Sequence, residues 1–234
     1  MRTKNVIDRR SFSGGRILLM FVLSCTIFLP TNAKADSIFE DVYRRSEREK
    51  LPEGSIAVGS GAFISPSAVL TSGHVIAGCR SFLVENPYVD ELTTVRLGSL
   101  DRNRDAAVLL VDGANSRNFL GFADSGASSH LKIMGYTAAA DAAGAPNVYR
   151  TKRLRTSVKG MVALSSNVPA GMSGGPVVDE NGSVVAILTG RFSANGVGTV
   201  ASSVSAFSNR ILRYSRQWSS GSVEAAVVKI RCNR

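Results

Sequence analysis

Three side chains stand in settings that suit three parts of one reaction. His74 follows the apolar run Val69-Leu70-Thr71 through Ser72-Gly73, a strand-end setting that the other histidine, His130, lacks. Asp105 opens a second apolar run, Ala106-Ala107-Val108-Leu109-Leu110-Val111. Ser173 lies within Gly171-Met172-Ser173-Gly174-Gly175-Pro176. A serine hydroxyl is scarcely ionised at neutral pH, so attack needs a base, and the base needs a carboxylate to fix its tautomer and stabilise the imidazolium. Glycines beside the serine leave backbone N–H groups free to face a developing oxyanion. The chemistry implied is acyl transfer, with Ser173 as nucleophile, His74 as general base and Asp105 as the acid that orients it. Asp101 and Asp112 read as ordinary turn residues.

The elements that must position these side chains read as all-β. From Ser55 onward, short β-branched runs are bounded by Gly, Pro, Ser and Asn. Strands are expected over 55–64, 67–71, 81–85, 92–98, 106–111, 131–137, 147–155, 160–164, 174–178, 183–189 and 197–201, a rhythm that suggests a sandwich or barrel. Asp179-Glu180-Asn181-Gly182 predicts a hairpin turn. A late helix is expected over 203–217, with Phe207, Ile211, Tyr214 and Trp218 on one core-facing side. Residues 36–52 form a charged, partly helical lead ended by Pro52, either a propeptide or a strap across the surface. Residues 218–234 extend past the helix, and VEAAVVKIRC reads as an added strand.

Charge and the N-terminal segment bound the partners. The chain has 234 residues, 28 Lys+Arg and 18 Asp+Glu, a formal net charge of +10. Residues 1–16 are basic, Ile17 to Leu29 is almost continuously apolar, and Ala33-Lys34-Ala35 fits signal-peptidase cleavage. Thirteen helical residues span about 20 Å, short of a hydrocarbon core of roughly 30 Å. Residues 1–35 are therefore expected to be a cleaved secretory signal, with an uncleaved anchor as the alternative. Arg9-Arg10-Ser11-Phe12 resembles the twin-arginine export signal, the other route being general secretion, and Cys25 only faintly fits a lipoprotein site. Taking six bases and one acid from the totals leaves 22 bases against 17 acids, or +5. Export puts Cys79 and Cys232 where a disulfide can persist, and two buried free thiols are the alternative. Arg150, Lys152, Arg153, Arg155 and Lys159 cluster in one hairpin, read as a solvated face or a dock for an acidic partner or cell surface. No aromatic interleaving or zinc spacing points to nucleic acid, and three Cys with two His leave little for a zinc site.

In the order His, Asp, Ser, spaced by 31 and 68 residues, the three segments resemble the signature blocks of chymotrypsin-fold serine proteases, with spacings similar to the bacterial HtrA and glutamyl-endopeptidase groups. Gly59-Ser60-Gly61-Ala62-Phe63-Ile64-Ser65 and Gly135-Tyr136 add to the likeness, which covers 53–217. The resemblance implies a double six-stranded antiparallel barrel with a C-terminal helix and a trypsin-like domain over 53–217. It also implies a His74–Asp105–Ser173 triad, an oxyanion hole from the N–H groups of Gly171 and Ser173, and no metal or cofactor. The substrate pocket falls on Asn167, Val168, Leu188, Thr189, Gly190 and Arg191.

Departures from the family pattern refine that picture. Met172 stands where trypsin-like enzymes place an Asp that pairs with a newly cut N-terminus, so no such cut is expected to be needed. Asn167 at the expected pocket base argues against Lys or Arg preference, and Val168 and Leu188 replace the polar groups of glutamyl endopeptidases. Small or medium apolar residues before the scissile bond are expected, with Arg191 as the one feature that favours an acidic one. The expected function is a secreted or periplasmic serine endopeptidase acting on polypeptides, monomeric and not inserted in the membrane after signal cleavage. A catalytically silent binding module on the same fold and an esterase-type acyl hydrolase are the alternatives. The chain after the helix is too short for an appended PDZ domain, so HtrA-style chaperone assembly is not expected.

Overall fold

The computed structural model describes residues 26–27, 35–49, 52, 54–88, 94–123, 128–139, 144–192 and 198–234. The basic segment 1–16 and Cys25 lie outside the described residues. Of the apolar run read as an export signal, only the two-residue strand β1 (Thr26–Ile27) is described, paired in parallel with Arg191 and Phe192.

Each strand expected from Ser55 onward is present. One sheet contains β2 (Ile56–Ser65), β3 (Ala68–Ser72), β4 (Ser81–Glu85), β5 (Thr94–Asp101), β6 (Ala106–Asp112) and β13 (Val227–Asn233), in the order β4-β13-β2-β3-β6-β5. It is a half-barrel. The other contains β7 (His130–Gly135), β8 (Asn147–Leu154), β9 (Met161–Leu164), β10 (Pro176–Val178), β11 (Val184–Phe192) and β12 (Thr199–Ser203), and the β11–β12 pairing closes it into a barrel. Apart from β1, which adds to β11 in parallel, pairing within both is antiparallel. The expected hairpin turn is present: Asp179 N–H donates to Ser183 O at 3.0 Å, and Asp179 Oδ1 accepts from the N–H of Asn181 and Ser183.

Alternation explains why β3, β6 and the first half of β11 are apolar at nearly every position. In β6, Ala106 and Val108 face a core shared by the two sheets, whereas Ala107, Leu109 and Val111 fill the half-barrel. Strands β3 and β11 divide their residues in the same way, Leu70 and Ile187 toward the shared core, Val69 and Leu188 toward their own sheet. A strand covered on both faces loses the apolar–polar alternation of a half-exposed one.

The late helix is shorter than its periodicity suggests. A 3-10 turn at Val204–Ala206 precedes a single helical turn, α3 (Asn209–Leu212), and Phe207 and Ser208 between them are extended (ψ 145° and 157°). Phe207 and Ile211 still enter the shared core, with Tyr214 packed against it, whereas Trp218 is 63% exposed. Loop and turn geometry thus delivers most of the apolar residues that the pattern assigned to one helix face.

The lead and the tail are both built into the domain. The lead forms helix α1 (Ala35–Arg48), whose Ile38, Phe39 and Val42 are buried against Met161 and Val200 of the closed barrel. In the tail, one helical turn, α4 (Val223–Ala226), leads into β13. Strand β13 lies between β2 and β4, with Ile230 opposite Gly59 on one side and Val84 on the other. A disulfide joins Cys232 of β13 to Cys79, five residues after His74 (Cα–Cα 5.4 Å). It closes a sequence separation of 153 residues and ties the last strand to the histidine loop. Replacing both cysteines by serine is expected to remove about 2–5 kcal/mol of stability. Thermal unfolding with and without a reductant measures this, and the doubly substituted chain should lose its response to the reductant.

Candidate active site

His74 sits in the short helical turn α2 (Gly73–Ile76) that ends β3, and it is 4% exposed. Asp105, fully buried, immediately precedes β6, the neighbour of β3 in the sheet. The strand pairing that sets Ser72 opposite Ala106 therefore brings the two side chains together. Both carboxylate oxygens are engaged by the histidine: Oδ1 accepts the His74 backbone N–H at 2.7 Å and Oδ2 contacts Nδ1 at 2.6 Å. The N–H of Gly73 donates to the Asp105 carbonyl at 2.9 Å. Because a carboxylate only accepts, Nδ1 carries the proton and Nε2 is left as the acceptor.

Asp105 adopts φ 48°, ψ 45°, the one left-handed non-glycine residue among the described residues. Such a conformation costs about 1–2 kcal/mol for most residues with a Cβ and less for Asp or Asn, so it is tolerated here but not favoured. A 3-10 turn at Arg102–Arg104 creates it, closed by Asp105 N–H on Arg102 O at 3.2 Å. The turn is held by Arg104, whose Nε donates to Ala206 O at 2.9 Å.

Ser173 enters from the other sheet. The Gly171–Gly175 loop runs between β9 and β10 and is pressed against β2 and β3. The Ser173 carbonyl accepts the Ser60 N–H at 2.7 Å, and Gly174 N–H donates to Leu188 O at 2.7 Å. Only glycine fits at three points of this loop, one of them Gly175, where Met134 O occupies the place of a Cβ. Gly171 (φ +94°) has Ala138 N where a Cβ would stand, and Gly174 (φ +81°) has Thr71 Oγ1 and Ser60 O there. Among the described residues no backbone carbonyl accepts the N–H of Gly171 or Ser173. His74, Ser173 and Gly171 line one cleft with Ala57, Val58 and Arg234; its free volume of about 20 Å³ is room for one water molecule.

Three hydroxyls on β2 and β3 that sequence reasoning left unassigned lie at this seam: that of Ser60 bonds the loop itself, that of Thr71 ties β3 to β2, and that of Ser72 ties β3 to β11. Ser60 Oγ donates to Gly171 O at 2.9 Å and accepts the Tyr136 N–H at 2.8 Å. Thr71 Oγ1 donates to Ser60 O at 2.7 Å, and Ser72 Oγ to Leu188 O at 2.8 Å. All three are buried. Their only sequence signal is the placing of small hydroxyl residues inside runs that are otherwise apolar. Tyr136 is no competing acid or base, since burial pushes its phenol up to about 12.

The pocket residues divide by environment. Asn167 is exposed, whereas Val168 and Leu188 pack inside the closed barrel with Met172. Thr189 is fully buried, its hydroxyl without a partner among the described residues, and Gly190 is half-buried beside it. Arg191 is exposed and donates from Nε and Nη2 to the Val168 carbonyl at 3.3 and 3.1 Å, joining β11 to the 167–168 segment. Met172 is fully buried in the same core, so the position before Ser173 is apolar as well as uncharged.

Substituting Ser60 by alanine removes the acceptor for Tyr136 N–H and the donor to Gly171 O. A loss of about 1–3 kcal/mol is expected from the unpaired buried groups, read as a lower melting temperature than that of an exposed control such as Ser205→Ala.

The likenesses to known proteins agree with this architecture. The family model described as a trypsin-like peptidase domain matches residues 59–187. A relative named a probable periplasmic serine endoprotease, DegP-like, from Bartonella henselae is 30% identical over 188 residues. That match covers 72% of this chain and 36% of the relative, so the chain spans about a third of that protein's length. Two solved structures share the fold. The Rv3671c protein of M. tuberculosis H37Rv, in an inactive mutant form, has a TM-score of 0.52 at 18% identity, covering 80% of this chain and 97% of that one. The serine endoprotease of Yersinia pestis has a TM-score of 0.51 at 18% identity, covering 76% and 64%. With its family match spanning more than half of its length and its two sheets arranged as in these relatives, the chain belongs to the trypsin-like peptidase domain family.

Proposed function

We propose that this chain is an exported serine endopeptidase that cleaves peptide bonds through Ser173, His74 and Asp105. The observation that carries the reading is the buried His74–Asp105 pair, which leaves Nε2 as acceptor in the cleft that Ser173 lines. Ser173 Oγ attacks the peptide carbonyl carbon while Nε2 takes its proton, and the carbonyl oxygen becomes an oxyanion facing the N–H groups of Gly171 and Ser173. Collapse breaks the C–N bond, and the imidazolium returns the proton to the departing amine. Water then attacks the acyl-serine carbon, gives a proton to Nε2, and releases the acid as Ser173 recovers its hydrogen. Asp105 remains ionised throughout and holds the ring in one tautomer.

Candidate pocket residues 167 and 168 supply no acid to pair with a basic side chain. Their apolar and amide character favours a small or medium apolar residue before the scissile bond. Export rests on the N-terminal pattern and on the periplasmic naming of the relative. Among the described residues no helix is long and apolar enough to cross a membrane.

A fluorophosphonate probe should label the folded chain once, at Ser173, and Ser173→Ala should abolish labelling; a folded wild-type chain that stays unlabelled would refute the reading in favour of a binding module. Profiling on a peptide library should show cleavage after small or medium apolar residues, whereas turnover of esters alone would point to another acyl hydrolase. Asp105→Asn keeps a side chain that tolerates the left-handed backbone. It should therefore fold normally while kcat falls by about 10⁴, the loss known for this substitution in a Ser-His-Asp triad.

A further inference from the structure

Helix α1 reaches the acid of the candidate triad from outside both sheets. Tyr43, 5% exposed, sets its ring edge against Gly73, the residue before His74. A Cβ added to Gly73 would stand 3.1 Å from Tyr43 Cδ2 and 3.2 Å from Asp105 Oδ1, so the ring and the carboxylate crowd the same glycine. One turn of chain away, the Arg102 guanidinium lies over the Tyr43 ring, 5.1 Å from its centroid, and approaches Glu47 of α1 at 3.6 Å. Arg102 supplies the carbonyl that closes the turn producing the left-handed Asp105. The helix is anchored elsewhere by Phe39 and Val42 against Met161 and Val200. At its end, Arg234 of the tail donates to the carbonyls of Ser46 and Glu49 at 3.4 and 3.5 Å.

We propose that α1 is a positioning element of the His74–Asp105 pair, with Tyr43 as the residue that makes the contact. Tyr43 fills the space behind Gly73, and through Arg102 it holds the turn that keeps Asp105 in an unfavourable backbone conformation. A backbone in a sparsely populated region persists only where its surroundings over-determine it, and α1 supplies part of those surroundings. The lead is then a working part of the domain, and its loss uncouples Asp105 from His74. The inference rests on the proteolytic reading given above. It assigns a role to residues outside the family's signature blocks.

The test compares Tyr43→Ala, Tyr43→Phe, Arg102→Leu and Val42→Ala in the full chain, using steady-state cleavage of a peptide found by the library profile and thermal unfolding of each variant. Tyr43→Ala should lower kcat by about 10², the effect of a misplacement of about 1 Å, with KM changed less than about 2-fold. Tyr43→Phe should restore kcat, because the ring and not the hydroxyl makes both contacts. Arg102→Leu, at an exposed position, should fold and lose about 2- to 5-fold in kcat, the worth of a surface cation–π contact. Val42→Ala faces the closed barrel and should lower the melting temperature while leaving kcat of the folded fraction within about 2-fold. A Tyr43→Ala chain whose kcat falls no further than that of Val42→Ala overturns the proposal, as does a Tyr43→Phe chain that fails to recover. If Tyr43→Ala does not fold, an unchanged kcat in Arg102→Leu overturns it alone. A wild-type chain with no turnover overturns the proteolytic reading together with this one.

Discussion

A carboxylate with no exposure, both of whose oxygens are taken by one histidine, is the constraint around which this molecule is arranged. An ionised carboxyl stripped of water costs several kcal/mol unless its acceptors are satisfied. Here the satisfaction comes from an N–H and a ring nitrogen of the same residue, so a small displacement of His74 leaves the charge uncompensated. The pairing of β3 with β6 fixes the two backbones, the Arg102–Arg104 turn fixes the direction of the carboxyl, and the shared core beneath them prevents relaxation. Stability and chemistry are therefore linked at one point.

The serine depends on that point from the opposite side. Its loop is held to the half-barrel by Ser60, which donates from Oγ to Gly171 O and from its N–H to Ser173 O, while Ser72 ties β3 to β11 at Leu188 O. Close approach is possible because Gly174 places no side chain against Ser60 and Thr71 of the half-barrel. Hydrogen bonding at this seam places Ser173 beside the half-barrel that carries His74. The tail contributes by completing the half-barrel: β13 separates β2 from β4, and its disulfide holds the chain just beyond His74.

Much of this was legible in the sequence, and the reasons for the rest are physical. Strands such as 106–111 and 81–85 announce themselves through local composition, and the glycine-bracketed serine through its unusual neighbours. Export left Cys79 and Cys232 able to bridge or to stay as two buried free thiols, and the fold brings them together as a disulfide. By contrast, the place of β13 between β2 and β4 depends on pairing across most of the chain, and no local pattern encodes it. The 203–217 segment misled because Phe207, Ile211 and Tyr214 keep helical spacing while the backbone at Phe207 and Ser208 is extended. Tyr43 and Arg102 carried no signal, since a tyrosine in a charged helix and an arginine in a turn become related only after folding.

The central claim is that Asp105 holds the His74 Nδ1 proton in a short, charge-assisted hydrogen bond while Nε2 stays free for Ser173. Proton NMR of the ¹⁵N-histidine-labelled chain tests this directly. The account predicts a strongly downfield Nδ1–H resonance from His74 that disappears in Asp105→Asn while the fold persists. A His74 ring protonated at Nε2 in the neutral form, or a downfield signal that survives Asp105→Asn, would contradict it.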